Sequence, residues 1–307
     1  MDEELRELLS IFPEVDFAKS GLDVVRARVS ELAAAAAAPE GLAVDEQQLR
    51  ISGGDKQPLE LLIYVPSRAD WSVPVILHIH GGGFVFGSAK DDRVANMVLA
   101  STLKCAIVSV DYRLAPETPY PGPLEDCYAA LVWVSRHAAE FGGDPSRIAL
   151  LGQSAGGGLA ATLAMLARDR SEVPIIHQHL IYPMLDDKTG AGRTPPPGAG
   201  QHVWTRESNA FGWTSYLGPS APASPYAAAS RMCDLRGLPP TFISVGALDL
   251  FARENLEFAA RLVDAEVPVE LHLYPGAFHG FDLWPPARVS ARARDNSVEA
   301  LRRALFG

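Results

Sequence analysis

The sequence predicts an α/β protein whose central sheet is mostly parallel and is flanked by helices. Short apolar runs typical of buried strands alternate with longer segments of helical periodicity, from about residue 48 to the end of the chain. Polar residues suited to chemistry follow three of these runs directly, where loops leave the carboxyl ends of parallel strands. The 307 residues, of which 48% are hydrophobic, suffice for one large domain or two small ones.

The predicted elements justify this class in order. Residues 1 to about 45 carry helical patterns, interpreted as a surface extension or a lid, with apolar residues at helix spacing: Leu5, Leu8, Leu9, Phe12, Val24, Val25, Val29 and Leu32. A hairpin with a turn at 53–56 follows. The later predicted strands are 73–80, 106–110, 148–151, 173–186, 241–245 and 269–274. The later predicted helices are 124–137, the segment after residue 154, a short helix at 205–218, 254–263 and 289–306.

Composition narrows the partners and the location. The formal net charge of −10 argues against a nucleic-acid partner. No apolar run reaches the length of a membrane span, and the acidic, amphipathic start, MDEELRELL, is the opposite of a secretory signal. The expected location is therefore cytoplasmic. Cys105, Cys127 and Cys233 are too few and too scattered for a disulfide framework or a zinc site.

The stretch 152–156, Gly-Gln-Ser-Ala-Gly, lies between a predicted strand and an Ala/Leu-rich helix. A serine at a sharp, strained turn needs neighbours with almost no side chain, and it then presents its hydroxyl at a helix N-terminus. There, backbone N–H groups and the helix dipole can stabilise an oxyanion. This context predicts that Ser154 is a nucleophile, although the motif alone is also compatible with a loop serine.

A second glycine motif, His80-Gly-Gly-Gly83, ends the predicted strand 73–80. Three consecutive glycines serve neither packing nor helix formation, but they let backbone N–H groups approach another group closely. The motif predicts the second half of an oxyanion hole, the alternative being a flexible turn.

Candidates for an acid and a base follow the last two predicted strands. Asp249 and His279 lie in these loops, and Ser154, Asp249 and His279 fall in the chain order that an α/β-hydrolase topology imposes on a triad. Asp282 is the alternative acid, but a neighbouring loop residue rarely reaches back to the correct ring nitrogen of His279.

Other titratable residues are expected to be structural. Glu125 and Asp126 suit the dipole of the helix 124–137. His177 and His179 share a strand face without further metal ligands, His80 braces its loop, and His272 is expected at the surface.

From Leu185 to about Pro225 the regular patterns fail, and aromatic residues accumulate. Such an insertion packs on the core or shapes an acyl or alcohol site. The residues expected to line a substrate pocket are Phe84, Trp204, Phe211 and Trp213.

These motifs together resemble those of the hormone-sensitive-lipase-like family of α/β-hydrolases, the bacterial family IV esterases. The matching motifs are His80-Gly-Gly-Gly83, Asp111-Tyr-Arg-Leu-Ala-Pro-Glu117, Gly152-Gln-Ser-Ala-Gly156, the Asp249 loop and Phe278-His279-Gly280-Phe281. The resemblance covers about residues 48 to 305 and implies an α/β-hydrolase fold with core segments 46–184 and 226–307 and a helical cap built from 1–45 and 185–225. The chain departs from the family at Gln153, usually Asp or Thr, and at Arg253, usually the first acid of an Asp-Glu pair.

The resemblance also implies a carboxylesterase that acts on short-to-medium acyl esters without a metal or organic cofactor. Ser154 is expected to attack the ester, with His279 as general base and Asp249 as its partner. The oxyanion is expected to face the N–H groups of Gly82, Gly83 and Ala155, of which Ala155 follows from the turn and the two glycines from the family.

Two other functions stay open. They are an amidase or acyltransferase on the same triad and a non-catalytic ligand-binding protein, against which the intact His279 argues. The expected partner is a small-molecule ester substrate, and a homodimer stays open.

Overall fold

The computed structural model describes residues 1–11, 15, 17–67, 72–192, 194–220 and 223–307, so that Phe12 of the predicted N-terminal pattern lies outside them. Within these residues, eight strands form a sheet in the order β1-β2-β4-β3-β5-β6-β7-β8. The strands are β1 (Val44–Ser52), β2 (Pro58–Pro66), β3 (Val73–Ile79), β4 (Ala106–Asp111), β5 (Gly143–Gln153), β6 (His177–Ile181), β7 (Thr241–Gly246) and β8 (Val269–Tyr274).

The sheet is mostly parallel, as predicted. β1 and β2 form the predicted antiparallel hairpin, and β2 also pairs antiparallel with β4, whereas the other neighbours are parallel. β3 is buried along its whole length, because helices cover both faces of the parallel region, whereas β1 lies at an edge and is largely exposed. The continuous apolar runs of the sequence are therefore the central strands.

Helices flank the sheet on both sides. They are α1 (Arg6–Ile11), α2 (Phe17–Ser20), α3 (Leu22–Ala34), α4 (Arg93–Leu103), α5 (Gly122–His137), α6 (Ala155–Arg170), α7 (Arg206–Leu217), α8 (Ala252–Asp264) and α9 (Arg288–Phe306). Alternate strand residues point to opposite faces, so that one apolar cluster contains α5, α6 and α8 and a second contains α4 and α9. None of the helices in the described ranges combines the length and apolar character that a bilayer span requires.

Four details differ from the predictions. The predicted strand 173–186 forms a strand only at β6, His177–Ile181. Helix α4 was not predicted. Asp126 is not merely an acid at a helix N-terminus: it is buried and accepts two hydrogen bonds from the Arg113 guanidinium, at 2.7 and 2.9 Å. The exposed face of β8 is the opposite of that predicted, because His272 is half-buried under α9 and hydrogen-bonds Asn296 there, while Leu271 and Leu273 are 36% and 43% exposed.

The N-terminal segment lies over the carboxyl ends of the strands. Leu5 and Leu8 pack into an apolar cluster with Tyr182 and Phe278, residues that follow β6 and β8. Phe17 stacks on Phe211 of α7, with ring centroids 4.3 Å apart. The two segments predicted to form a cap are therefore in contact at the edge of the sheet where the candidate site residues lie.

Candidate active site

Ser154 occupies the sharp turn that joins β5 to α6. Its φ of 55° is in the left-handed region, which a non-glycine residue rarely adopts. Gly156 explains the need for small neighbours, since a Cβ atom there would overlap the carbonyl groups of Ile79 and His80. The serine hydroxyl therefore lies at the N-terminus of α6, with the loop after β3 directly beside it.

His279 and Asp249 complete a hydrogen-bonded line that starts at this serine. His279 Nε2 lies 2.9 Å from Ser154 Oγ, and His279 Nδ1 lies 2.8 Å from Asp249 Oδ2. The second oxygen of the fully buried Asp249 accepts the N–H of Phe251 at 2.9 Å, which fixes the carboxylate plane. With the acceptor at Nδ1, the neutral imidazole carries its proton there and offers Nε2 to the serine.

Asp282, the alternative acid, bonds elsewhere. Its Oδ1 accepts a 2.9 Å hydrogen bond from the hydroxyl of Tyr182, and burial raises the pKa of this carboxyl. The Tyr182 ring packs edge-on against the His279 ring at 4.6 Å. Asp282 thus supports a tyrosine that contacts the histidine, and Asp249 is the acid that bonds it.

The glycine loop forms a tight turn next to Ser154. The N–H groups of Val85 and Phe86 both donate to Gly82 O at 3.0 Å. Gly83 has a φ of 59°, and a Cβ atom there would overlap the Trp204 ring. In the described part of the chain, the N–H groups of Gly82, Gly83 and Ala155 donate to no backbone carbonyl. These three donors are available to a ligand, as a developing oxyanion requires.

His80 braces this loop. Its Nδ1–H donates to Gly81 O at 2.8 Å, its ring stacks on Tyr112 at 4.1 Å, and the Tyr112 hydroxyl donates to His80 O at 3.0 Å. Burial lowers the pKa of His80 to about 3, so the ring is neutral at physiological pH. A buried, stacked imidazole of this kind holds backbone and is unsuited to act as a second base.

Gln153, one of the two departures from the family pattern, links the turn to a buried polar network. Its Nε2 donates to Asp92 Oδ2 at 3.0 Å, and its Oε1 lies 3.2 Å from Nε2 of His78, whose other nitrogen accepts from Ser109. Burial, reinforced by the charge of Asp91, raises the pKa of Asp92 to about 7. The glutamine amide gives this carboxyl a donor, whereas an aspartate at 153 would set two acids against each other.

Asp92→Asn is expected to raise the melting temperature, Tm, at pH 8 and to leave it nearly unchanged at pH 4. The folded-state pKa of about 7 lies above the ordinary value of 3.8, so Asp92 reduces stability as pH rises through this interval. Asparagine does not titrate and keeps an oxygen for Gln153. Thermal unfolding at both pH values tests this, with the exposed Asp295→Asn as control. An equal Tm change at pH 4 and pH 8 would contradict it.

The four predicted pocket aromatics gather around the glycine loop in two groups. Trp204 lies against Gly83, 6.4 Å from the His279 ring, and Phe211 packs under the N-terminal segment. Phe84 stacks on Tyr216 at 4.1 Å and lies 5.1 Å from Trp213, in a space too narrow for a water molecule. Trp204 and Phe211 thus both contact Phe17 of the N-terminal segment, whereas Phe84 and Trp213 lie in packed interior.

Glu254 is a site residue that sequence reasoning did not identify. It is buried in the first turn of α8, accepts the N–H of Leu185 at 2.7 Å and the Thr189 hydroxyl, and has a pKa that burial raises well above its ordinary value. It thus anchors the start of the segment that follows β6. The neighbouring departure, Arg253, is exposed and pairs with Glu257 at 3.0 Å. The sequence shows only that a base and an acid adjoin here, and it carries no signal of which of the two is buried.

The two histidines of β6 are buried among residues of the sheet and of α9. His177 and His179 share a buried face of the sheet. His177 Nε2 lies 3.4 Å from His179 Nδ1, and His179 Nε2 lies 2.7 Å from Ser297 Oγ. Among the residues that the structure describes, no group of three or more His, Cys, Asp or Glu side chains is arranged to hold a metal ion.

Known proteins share this fold and this chain length. A family model described as the alpha/beta hydrolase fold matches residues 76–283. Carboxylesterase NlhH of Mycobacterium tuberculosis is 36% identical over 317 residues, covering 99% of this chain and 96% of that protein. Esterase LipI of the same species is 34% identical over 311 residues, covering 98% and 95%. The structure of a bacterial heroin esterase superimposes with a TM-score of 0.92 at 40% identity, covering 100% of this chain and 98% of that one.

The chain therefore belongs to the α/β-hydrolase family, in its hormone-sensitive-lipase-like group of carboxylic ester hydrolases.

Proposed function

We propose that this enzyme hydrolyses esters of short-to-medium acyl chains through a Ser154–His279–Asp249 triad and an acyl-enzyme intermediate. The observation that carries the proposal is the continuous hydrogen-bonded line from Asp249 Oδ2 through both nitrogens of His279 to Ser154 Oγ. The N–H groups of Gly82, Gly83 and Ala155, which donate to no backbone carbonyl in the described part of the chain, support the proposal as candidate donors to the oxyanion.

Acylation begins when Ser154 Oγ attacks the carbonyl carbon and His279 Nε2 takes the hydroxyl proton. The carbonyl oxygen becomes an oxyanion that accepts hydrogen bonds from Gly82, Gly83 and Ala155, each worth about 3 kcal/mol of barrier. When the intermediate collapses, the C–O bond to the alcohol breaks, and His279 returns the proton to the leaving oxygen. Water then repeats the sequence on the acyl-enzyme, releases the carboxylic acid and restores the serine.

The substrate range follows from the enclosure of the site. Ser154 and His279 are each 6% exposed, although a nucleophile must meet its substrate. We assign the cover to a cap made of residues 1–45 and 185–225 over the core segments 46–184 and 226–307, in which Trp204 lies against Gly83 and Phe211 stacks on Phe17. An enclosed, aromatic-walled site excludes water and limits the acyl length that fits beneath the cap.

A series of p-nitrophenyl esters of increasing acyl length tests the substrate range. We expect kcat/KM to be highest for acyl chains of about two to eight carbons and to fall at least tenfold for about sixteen, because a long chain must displace the cap. The matched anilide of the best acyl group is the control for the amidase alternative. An optimum at the longest ester would contradict the enclosed site, and an anilide cleaved as fast as its ester would favour an amidase.

Two further parts of the proposal concern location and assembly. Cytoplasmic residence fits the free, exposed thiol of Cys233, because cytoplasmic thiols are kept reduced. A homodimer fits β8, which is an edge strand of the sheet formed by the described residues and whose Leu271 and Leu273 present apolar side chains to solvent. A monomer mass in sedimentation velocity would rule out the homodimer.

A further inference from the structure

We propose that Arg26, on the N-terminal helix α3, is a positioning residue for ester hydrolysis: its guanidinium holds the tight turn whose glycine N–H groups receive the oxyanion. The inference rests on the proposed role of Gly82 and Gly83 in the reaction. It assigns to the N-terminal segment a function in catalysis that is distinct from covering the site.

Arg26 binds two loops at once. Its Nε donates to Val85 O at 2.8 Å, and its Nη2 donates to Ala115 O at 3.1 Å. Nη1 and Nη2 also donate to the two carboxylate oxygens of Glu117, at 2.7 and 2.8 Å. The planar fork is therefore fixed at all three nitrogens, a geometry that a lysine ammonium cannot reproduce.

The turn that Arg26 contacts is the one that presents the oxyanion donors. Val85 lies inside it, because the N–H groups of Val85 and Phe86 both return to Gly82 O. Ala115 N donates to Phe84 O at 2.9 Å, which joins the turn to the loop after β4. Arg26 donates to Val85 O in the turn and to Ala115 O in the loop after β4. Because Val85 lies in the same turn as Gly82 and Gly83, a shift of Val85 O also moves these two glycines.

The contact is built for position more than for stability. The Glu117 side chain is 60% exposed and that of Arg26 is 26% exposed, and an exposed ion pair adds little to folding stability. Two directional bonds to backbone carbonyls, in contrast, fix where a loop lies. The Arg26 hydrogen bonds lower the pKa of Glu117 to about 2, so the carboxylate that orients the guanidinium stays ionised in mildly acidic as well as in neutral solution.

Neighbouring residues of the N-terminal segment fix the position of Arg26 beside the turn. Val25, the preceding residue, is buried in the main core cluster. Phe17 packs against Phe86, at the end of the turn, with ring centroids 6.2 Å apart. Val25 of α3 is thus held against the core and Phe17 of the preceding helix α2 against the turn, so the backbone that carries Arg26 is fixed on both sides.

The test compares Arg26→Met with Arg28→Met, which removes an exposed arginine from the same helix. Methionine keeps the apolar stem of Arg26 and removes its donors. We expect Arg26→Met to lower kcat about 10- to 100-fold with KM changed less than about threefold, because displaced donors weaken the transition state more than substrate binding. A trifluoromethyl ketone that adds to the serine should bind more weakly by a similar factor, and the matched methyl ketone should not. Arg28→Met should match the wild type.

Active-site titration expresses kcat per competent serine, so a partly folded sample cannot imitate the result. If Arg26→Met fails to fold, Glu117→Gln is used in its place. A neutral glutamine amide orients the Arg26 guanidinium less firmly than the carboxylate does, so kcat should fall about threefold or more with KM unchanged. An unchanged kcat per titrated site in Arg26→Met, or in Glu117→Gln where Arg26→Met does not fold, would overturn the inference. If Arg26→Met has an unchanged kcat and Ser154→Ala is inactive, the inference about Arg26 fails and the proposed function stands. An active Ser154→Ala would instead refute the proposed function.

Discussion

Replacing Ser154 with alanine is expected to lower kcat for p-nitrophenyl ester hydrolysis by about 10⁵-fold or more, with the protein still folded. Alanine has no oxygen to attack the carbonyl, so no acyl-enzyme forms, and only the oxyanion donors and substrate binding continue to act. The fold should be unaffected, because alanine keeps the Cβ atom and meets the same backbone strain at a φ of 55°. Steady-state kinetics, circular dichroism and Tm of the purified variant provide the measurement.

Two companions make this result specific. His279→Ala should be almost as severe, and the double variant Ser154→Ala/His279→Ala should be no worse than either single variant, since a base without its nucleophile has no function. Ser146→Ala, an exposed hydroxyl near the start of β5, is the matched control and should retain full activity. More than a tenth of the wild-type rate in a folded Ser154→Ala protein would refute the assignment of the nucleophile.

Much of the fold was predictable because strand signals are local. The predicted strand 269–274 coincides with β8, and 241–245 differs from β7 by one residue. Buried parallel strands are continuous apolar runs, and such a run can be identified without knowledge of its neighbours. The candidate triad residues could be proposed for the same reason: each follows a strand, and the loops at the carboxyl ends of parallel strands converge.

Helix α4 was missed because its buried face is not wholly apolar. Asn96, Met97, Ala100 and Leu103 recur at helix spacing on that face. Asn96, however, is a buried amide, and its Nδ2 lies 3.3 Å from His78 Nδ1 in the network below Gln153. A polar residue inside the stripe weakens the pattern, and its contribution emerges only once β3 and α4 are packed together.

The contacts that support the site were beyond the sequence for a different reason. Arg26 bonds Val85 across 59 positions, and Glu254 bonds Leu185 across 69. Such pairs depend on how loops pack after the sheet has formed. The sequence around either residue does not indicate which distant carbonyl or N–H group it will contact. Local sequence patterns therefore pointed to the candidate triad, whose three side chains the structure brings together, but not to the residues that hold their surroundings.

Asp249→Asn is expected to lower kcat by about 10⁴-fold with little change in KM. The fully buried Asp249 accepts the N–H of Phe251 with Oδ1 and that of His279 with Oδ2. An asparagine must keep its oxygen towards Phe251 N–H, so its amide NH₂ faces His279 Nδ1. The imidazole then carries its proton on Nε2 and can no longer accept the proton of Ser154. Because the substrate does not contact this carboxyl in the proposed mechanism, binding should persist while chemistry fails.

Asp282→Asn is the matched control for this loss. Its carboxyl accepts a hydrogen bond from the Tyr182 hydroxyl, and an asparagine oxygen can accept the same bond. Burial raises the pKa of Asp282, so the neutral amide also resembles the form that its surroundings favour. We expect kcat of Asp282→Asn to stay within about threefold of the wild type, since an isosteric swap leaves the Tyr182 contact with His279 intact. If Asp282→Asn loses most of the activity while Asp249→Asn keeps it, the acid of the triad is Asp282.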